Sequence, residues 1–148
     1  DLTIRILGKS IARATIAFSY PFAIISSIGV LLFEGSSTYE AFRIGFASAS
    51  AYGISTLLDV YIFQIIREKY KYWWLAPSIS TIFANIIDTF VFFYAAFYES
   101  SDVYMSENWI EIALNQSIIK IVIGLLFFLP FYGVILNFIL KNINKKNT

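Results

Sequence analysis

Cysteine and histidine are both absent from the 148 residues, and the single methionine stands at position 105. Without cysteine the chain holds no disulfide framework, no thiolate zinc site and no thiol nucleophile. Without histidine it lacks the commonest metal ligand and the commonest general base near neutral pH. Charge is scarce too. Asp, Glu, Lys and Arg make up 14% of the chain, where soluble domains carry about 25%. A formal net charge of +1 makes no electrostatic case for nucleic-acid binding. What is plentiful is apolar surface: 58% of residues are hydrophobic and 19% aromatic. A soluble fold of this composition would run short of polar residues to cover it, and disordered chains are poor in aromatics and rich in charge. The composition is that of an integral membrane protein. A chain that opens at Asp1 with its first Met at 105 is expected to continue upstream. Asp1 to Arg13 is too charged to be a signal peptide.

A bilayer core of about 30 Å needs about 20 mostly apolar residues as helix. Four stretches meet this requirement: Ala14 to Phe33 with Pro21 inside, Ile44 to Ile66, Leu75 to Tyr98, and Ile110 to Leu140. None alternates as a barrel strand would. The expected fold is all-α, a single polytopic helical domain over residues 1–148 with four transmembrane helices. The last stretch is longer than a straight crossing needs. It is read as one tilted helix, kinked at Pro130, whose polar beginning (Glu111, Asn115, Gln116, Lys120) leaves the hydrocarbon or lines a cavity.

Nine of the eleven basic residues fall in alternate loops. Arg5, Lys9 and Arg13 precede the first span; Arg67, Lys69 and Lys71 follow the second; Lys141, Lys145 and Lys146 follow the fourth. The intervening loops carry Glu34, Glu40, Glu99, Asp102 and Glu107. The positive-inside rule makes the basic loops and both ends of the chain cytoplasmic. Tyr70, Tyr72, Trp73 and Trp74 belt one interface, and Tyr104 and Trp109 the other. Asp1, Arg5, Lys9 and Arg13 are spaced four apart and form one helix stripe, suited to lipid headgroups.

Two spans share a pattern. Thr56-Leu57-Leu58-Asp59-Val60-Tyr61-Ile62-Phe63 aligns with Asn85-Ile86-Ile87-Asp88-Thr89-Phe90-Val91-Phe92, on helices that run in opposite directions. This is a faint inverted repeat of the kind that places transporter sites near the midplane, although short apolar sequences also match by chance. At 1.5 Å per residue, Asp59 lies about 6 Å and Asp88 about 2 Å from its span centre. An Asp at that depth costs about 2.5–3.5 kcal/mol to insert, so such residues face a cavity or a partner. Lys120, about 7 Å from its segment's centre, is the available counter-ion; a purely structural reading has it lock the helices together. Asp59 shares a helix face with Tyr52, Ser55, Thr56 and Phe63, and Asp88 with Thr81, Ala84, Asn85 and Phe92. Hydrogen-bonding groups beside aromatic rings suit a flat, polar-edged ligand better than a bare ion. The small residues Ser48 to Ala51, Gly53 and Ser55 let helices approach closely.

Asp1 to Gly8, Arg43, Ala51-Tyr52, Leu58 to Phe63, Trp73 to Pro77, Ser80-Thr81, Asn85, Asp88-Thr89, Phe92-Phe93, Ala96-Phe97, Trp109 to Leu114, Lys120, Phe128 to Pro130 and Tyr132-Gly133 resemble the queuosine precursor transporter family, also called vitamin-uptake-like. The resemblance runs the length of the chain and includes charged residues at membrane depth. It implies import of a 7-deazaguanine base, 7-cyano-7-deazaguanine in the best-known members, across the bacterial inner membrane. It also implies six spans, of which this chain corresponds to the last four. Thr56 stands where the family commonly has Gln. A guanine-like edge offers two adjacent N–H donors and a carbonyl acceptor, so a carboxylate can take both donors and an amide can serve the carbonyl. The expected substrate contacts are therefore Asp88 or Asp59 at the donor edge and Asn85 beside it. Phe92, Phe63 or Tyr52 would stack on the base, and Thr56 would sit on the same face. Lys120 balances one Asp in the empty state. Arg43 pairs with an acidic residue, gates entry or anchors the interface.

No metal or cofactor is called for. The expected partners are the base and membrane lipid, with a homo-oligomer left open. Three other readings compete. A substrate-binding membrane subunit, or a secondary transporter, could serve another vitamin-like molecule. An intramembrane aspartyl enzyme is opposed by the missing Tyr-Asp and Gly-x-Gly-Asp contexts around Asp59 and Asp88. An assembly protein would tolerate loss of both carboxylates.

Overall fold

Among the described residues, four helices long and apolar enough to cross a membrane follow one another. The computed structural model describes residues 7–146, and of Lys9 and residues 142–146 the backbone alone. The basic stripe and the motif that begin at Asp1 thus lie partly outside the described residues, as do the side chains of Lys145 and Lys146. We number the helices α1 (Lys9–Phe33), α2 (Thr38–Lys69), α3 (Leu75–Phe97), α4 (Val103–Ile123) and α5 (Leu129–Lys146). A π-helical turn, Gly124–Phe128, joins α4 to α5, so that the fourth span is continuous from Val103 to Lys141. No strand occurs among the described residues.

Local chemistry sets the ends. α1 runs through Pro21 and stops at Gly35, whose φ of 88° fits a residue without Cβ. Gly35 N–H donates to the Leu32 carbonyl and Ser36 N–H to the Leu31 carbonyl, which closes the helix with a Schellman motif. α2 starts six residues before the apolar run because Ser37 caps it. Ser37 Oγ accepts from Glu40 N–H at 3.3 Å and donates to Glu40 Oε2 at 2.9 Å. Pro77 falls in the first turn of α3, where its missing N–H costs nothing. Asp102 caps α4 by accepting from Met105 N–H at 3.0 Å, so this helix also begins well before Ile110.

The fourth span meets the expected disruption at Pro130 with a π turn. Leu129 N–H donates to the Gly124 carbonyl, five residues back, just where the proline ring would otherwise crowd the preceding turn. Glu111, Asn115 and Gln116 are exposed on the outer side of α4. The buried stripe is Ala113, Ser117 and Gly124.

Contacts across the bundle fix an antiparallel register. A Cβ on Gly45 would lie 2.5 Å from Ile28 Cγ1, and one on Gly53 2.9 Å from the Tyr20 ring, so α1 and α2 meet at their closest at these glycines. Ala41, Ala47, Ala49, Ala51 and Ser55 continue the buried small-residue surface of α2. Ser55 faces Asp88 between α2 and α3, Lys120 faces Asp88 between α3 and α4, and Gly133 lies under the Trp73 ring. The connection bearing Arg67, Lys69 and Lys71, the start of α1 and the end of α5 therefore share one end of the bundle. Near that end Phe63 is fully buried among Ala12, Ile16, Val60 and Ala76. At the other end Phe92, Phe93 and Phe97 pack with ring centroids 5.3–6.0 Å apart.

The α1–α2 crossing tolerates no added methyl group at Gly45, because Ile28 backbone nitrogen also lies 3.3 Å from the Cβ position. Gly45→Ala should lower unfolding stability by about 1–3 kcal/mol, read as a fall in thermal midpoint in detergent. Gly29→Ala, with nothing within 4 Å of its Cβ position, should cost far less.

Candidate functional site

The two intramembrane carboxylates occupy different surroundings. Asp88 is satisfied on both oxygens: Oδ2 accepts from Lys120 Nζ at 2.9 Å, and Ser55 Oγ lies 3.3 Å from Oδ1. This is the one ion pair among the described residues. It ties α2, α3 and α4 together near mid-span. The side chains of Lys120 and Asp88 keep 40% and 31% of their exposure, so the pair is half-buried rather than sealed.

Asp59 lies about one turn beyond Ser55 on α2, about 6 Å along the axis. Among the described residues no Lys or Arg forms an ion pair with it. Its neighbour is the buried hydroxyl of Ser80. Asp59 lines a cleft of about 490 Å³ between α2, α3 and the fourth span, within the range of small-molecule sites. α3 supplies Pro77 and Thr81, and the fourth span supplies Gly124, Phe128, Phe131 and Tyr132. All of these residues lie toward the basic end. The site is therefore a carboxylate in an aromatic-walled cleft, able to accept paired N–H donors and to hold a flat ring.

Thr81, Asn85 and Asp88 stand on one face of α3 toward the fourth span. A Cβ on Gly124 would lie 3.1 Å from Thr81 Cγ2 and 3.7 Å from Asn85 Nδ2. Of the expected site residues, the structure brings Asp88 and Lys120 into contact and sets Asn85 nearby, while Asp59 sits apart in the cleft. The others are engaged elsewhere. Phe63 is a core residue with no exposed surface, which leaves no face for a stacked ligand. Phe92 packs on Phe93 and Phe97. Tyr52 turns to α1, its hydroxyl 3.2 Å from Ser19 Oγ. Thr56 donates to the Tyr52 carbonyl of its own helix.

Among the described residues Arg43 pairs with no carboxylate. Its guanidinium donates to the carbonyls of Ala95 (Nε, 3.1 Å), Tyr98 and Glu99. It thereby caps the C-terminus of α3, where cations are favoured. Beside it Glu40 Oε1 accepts from Ser101 Oγ at 3.1 Å, and both residues, with Arg43, line a cavity of about 230 Å³ at the acidic end of the bundle.

Sequence reasoning missed the aromatic wall. Phe128, Tyr132 and Ile135 follow Gly124 at helical spacing across the π turn. That spacing was readable, but it resembles any lipid-facing stripe until the cleft supplies the other wall.

The Asp88–Lys120 pair makes a stability prediction. Removing one partner leaves a lone charge at membrane depth, whereas removing both does not. Asp88→Ala or Lys120→Ala alone should each cost about 1–3 kcal/mol given the residual exposure. The double substitution should cost less than the sum. A double-mutant cycle on thermal midpoints measures the coupling.

Comparison with known proteins places the chain among membrane transporters. A family model described as "putative vitamin uptake transporter" matches residues 1–135. The "Queuosine precursor transporter" of Escherichia coli (strain K12) is 42% identical over 158 residues, covering 99% of this chain and 71% of the relative. The "Probable queuosine precursor transporter" of Haemophilus influenzae is 40% identical over 154 residues, covering 97% of this chain and 65% of the relative. A Bacillus subtilis protein with the same name is 31% identical over 112 residues, covering 66% of this chain and 48% of the relative. The chain thus spans between about half and seven tenths of the length of these relatives. No solved structure matches it. The chain belongs to the vitamin uptake transporter family, a family of transporters and not of enzymes.

Proposed function

We propose that the protein imports a queuosine precursor, a 7-deazaguanine base such as 7-cyano-7-deazaguanine, across the bacterial inner membrane. The observation that carries this reading is the Asp59 carboxylate, without an ion-pair partner among the described residues, in a cleft walled by Phe128, Phe131 and Tyr132. A carboxylate there can accept the two adjacent N–H donors of a guanine-type edge while a ring face lies against the aromatic wall. The names of the relatives support the same substrate class. In this reading Asp59 takes the donor edge, and Asp88, already neutralised by Lys120, holds the helices around the cleft. Asn85 lies between the two and steadies the wall at Gly124. Arg43 holds the C-terminus of α3 at the acidic end.

Orientation follows from charge. With the basic loops cytoplasmic, the cleft lies in the cytoplasmic half, and the polar contacts of Arg43 and of Glu40 lie at the external end. Both ends of the chain lie in the cytoplasm on this reading.

The test is the queuosine content of transfer RNA in cells that cannot make the precursor, lack their own importer and are given the base. The wild-type protein should restore queuosine. Asp59→Asn, present in the membrane at the wild-type level, should reduce initial uptake about tenfold or more, the loss expected for hydrogen bonds to a charged acceptor. Undiminished uptake by Asp59→Asn would refute the assignment of the carboxylate. Failure of the wild type to restore queuosine would refute the substrate class.

A further inference from the structure

A serine or threonine within a helix commonly turns its hydroxyl onto a carbonyl of the preceding turn, and α3 follows this habit. Ser78 Oγ donates to the Trp74 carbonyl at 2.7 Å, Ser80 Oγ to the Pro77 carbonyl at 3.4 Å, and Thr89 Oγ1 to the Asn85 carbonyl at 2.8 Å. Thr81 is the exception. The carbonyl four residues before it is that of Pro77, which Ser80 already takes. Among the described residues the Thr81 hydroxyl has no hydrogen-bond partner. It is also not among the buried unpartnered hydroxyls, which belong to Ser117 and Tyr132. On a half-buried side chain it therefore keeps accessible surface. The side chain is directed at the fourth span, since a Cβ on Gly124 would lie 3.1 Å from Thr81 Cγ2. Thr81 and Gly124 both line the Asp59 cleft. The polar side chains lining that cleft are Asp59, Thr81 and Tyr132. With the Tyr132 hydroxyl buried, a carboxylate and the Thr81 hydroxyl are what the cleft offers a ligand.

We propose that Thr81 is a specificity-determining residue of the cleft, whose hydroxyl donates to the carbonyl oxygen of the bound base. This inference rests on the substrate class proposed above and adds the group that recognises the base's acceptor. Asp59, as a carboxylate, can only accept, and so reads N–H donors. A ligand presenting donors and a carbonyl side by side needs a donor from the protein as well. A hydroxyl released from its own helix supplies that proton without a further charge at membrane depth. The two branches of threonine divide the task. Its methyl group packs toward Gly124, and its hydroxyl is left for the ligand. Valine would fill the same space and keep the methyl contact, but would offer no proton. Serine would keep the hydroxyl and lose the methyl.

The experiment measures equilibrium binding of two probes to the purified wild-type protein, Thr81→Val and Thr81→Ser. One probe is 7-deazaguanine; the other is its thiocarbonyl analogue, which keeps the N–H donors and replaces the carbonyl oxygen by sulfur, a weaker acceptor. Thr81→Val should bind 7-deazaguanine about tenfold more weakly than the wild type, the order expected for one buried hydrogen bond. Its affinity for the thiocarbonyl probe should change far less, so that the wild-type preference for oxygen over sulfur shrinks. Thr81→Ser should retain that preference. Without ligand, Thr81→Val should unfold at the wild-type temperature or above it, because the lost hydroxyl had no partner. Unchanged affinity of Thr81→Val for 7-deazaguanine would overturn the proposal. So would an equal loss of affinity for both probes, or a marked drop in the unliganded unfolding temperature, which would reveal a structural role for the hydroxyl. If the wild type binds neither probe, the substrate class itself is refuted, an outcome distinct from a wild type that binds and a valine variant that binds equally well.

Discussion

A charge placed at membrane depth must find a partner or face a cavity, and the contact between Asp88 and Lys120 answers that constraint for one of the two intramembrane acids of this bundle. Its 2.9 Å ion pair joins α3 to α4, and the Ser55 hydroxyl brings in α2. Three helices are held at one level. The facing pairs among these helices keep the same register: Thr81 and Asn85 against Gly124, Trp73 over Gly133, Arg43 against the end of α3. With Asp88 and Lys120 committed to each other, Asp59 is the carboxylate left for the cleft.

The two ends of the bundle are built differently. At the acidic end, Arg43 takes up carbonyls at the close of α3, while Glu40 bridges its own N-cap Ser37 and Ser101 of the next loop. Toward the basic end, the fourth span swings through a π turn. There Gly124 lets α3 approach, and the aromatic residues that follow form the cleft wall instead of packing on α2. Polar contacts gather at one end and an aromatic-walled cleft opens at the other, with an ion pair between them.

Much of this was legible in the sequence. Hydropathy located four spans because a helix in lipid needs a long apolar run, and the buried acids stood out because their insertion is expensive. Lys120 was readable as the counter-ion, since no other cation lies at that depth. Helix starts were less legible, because Ser37 and Asp102 extend α2 and α4 with polar turns that a hydropathy window discounts. The expected stacking rings misled for a physical reason. Sharing a helix face with Asp59 puts Phe63 on the same side of α2, but that side also meets α1 and α3, and the ring went into the core they form. Likewise Arg43, read as a pairing charge, a gating charge or an interfacial anchor, found backbone carbonyls, which no side-chain pattern reveals. The aromatic wall needed knowledge of which face of the fourth span turns inward, and that depends on the π turn.

The central claim is that Asp59 faces the substrate whereas Asp88 is a structural counter-ion. Hydrophobic carbodiimides label accessible carboxyl groups within membranes, and peptide mass spectrometry can locate the label. Labelling of the membrane-embedded protein should fall on Asp59, spare Asp88, and be suppressed by saturating 7-deazaguanine. Labelling of Asp88 in preference to Asp59, or labelling of Asp59 that the base leaves unchanged, would contradict the account.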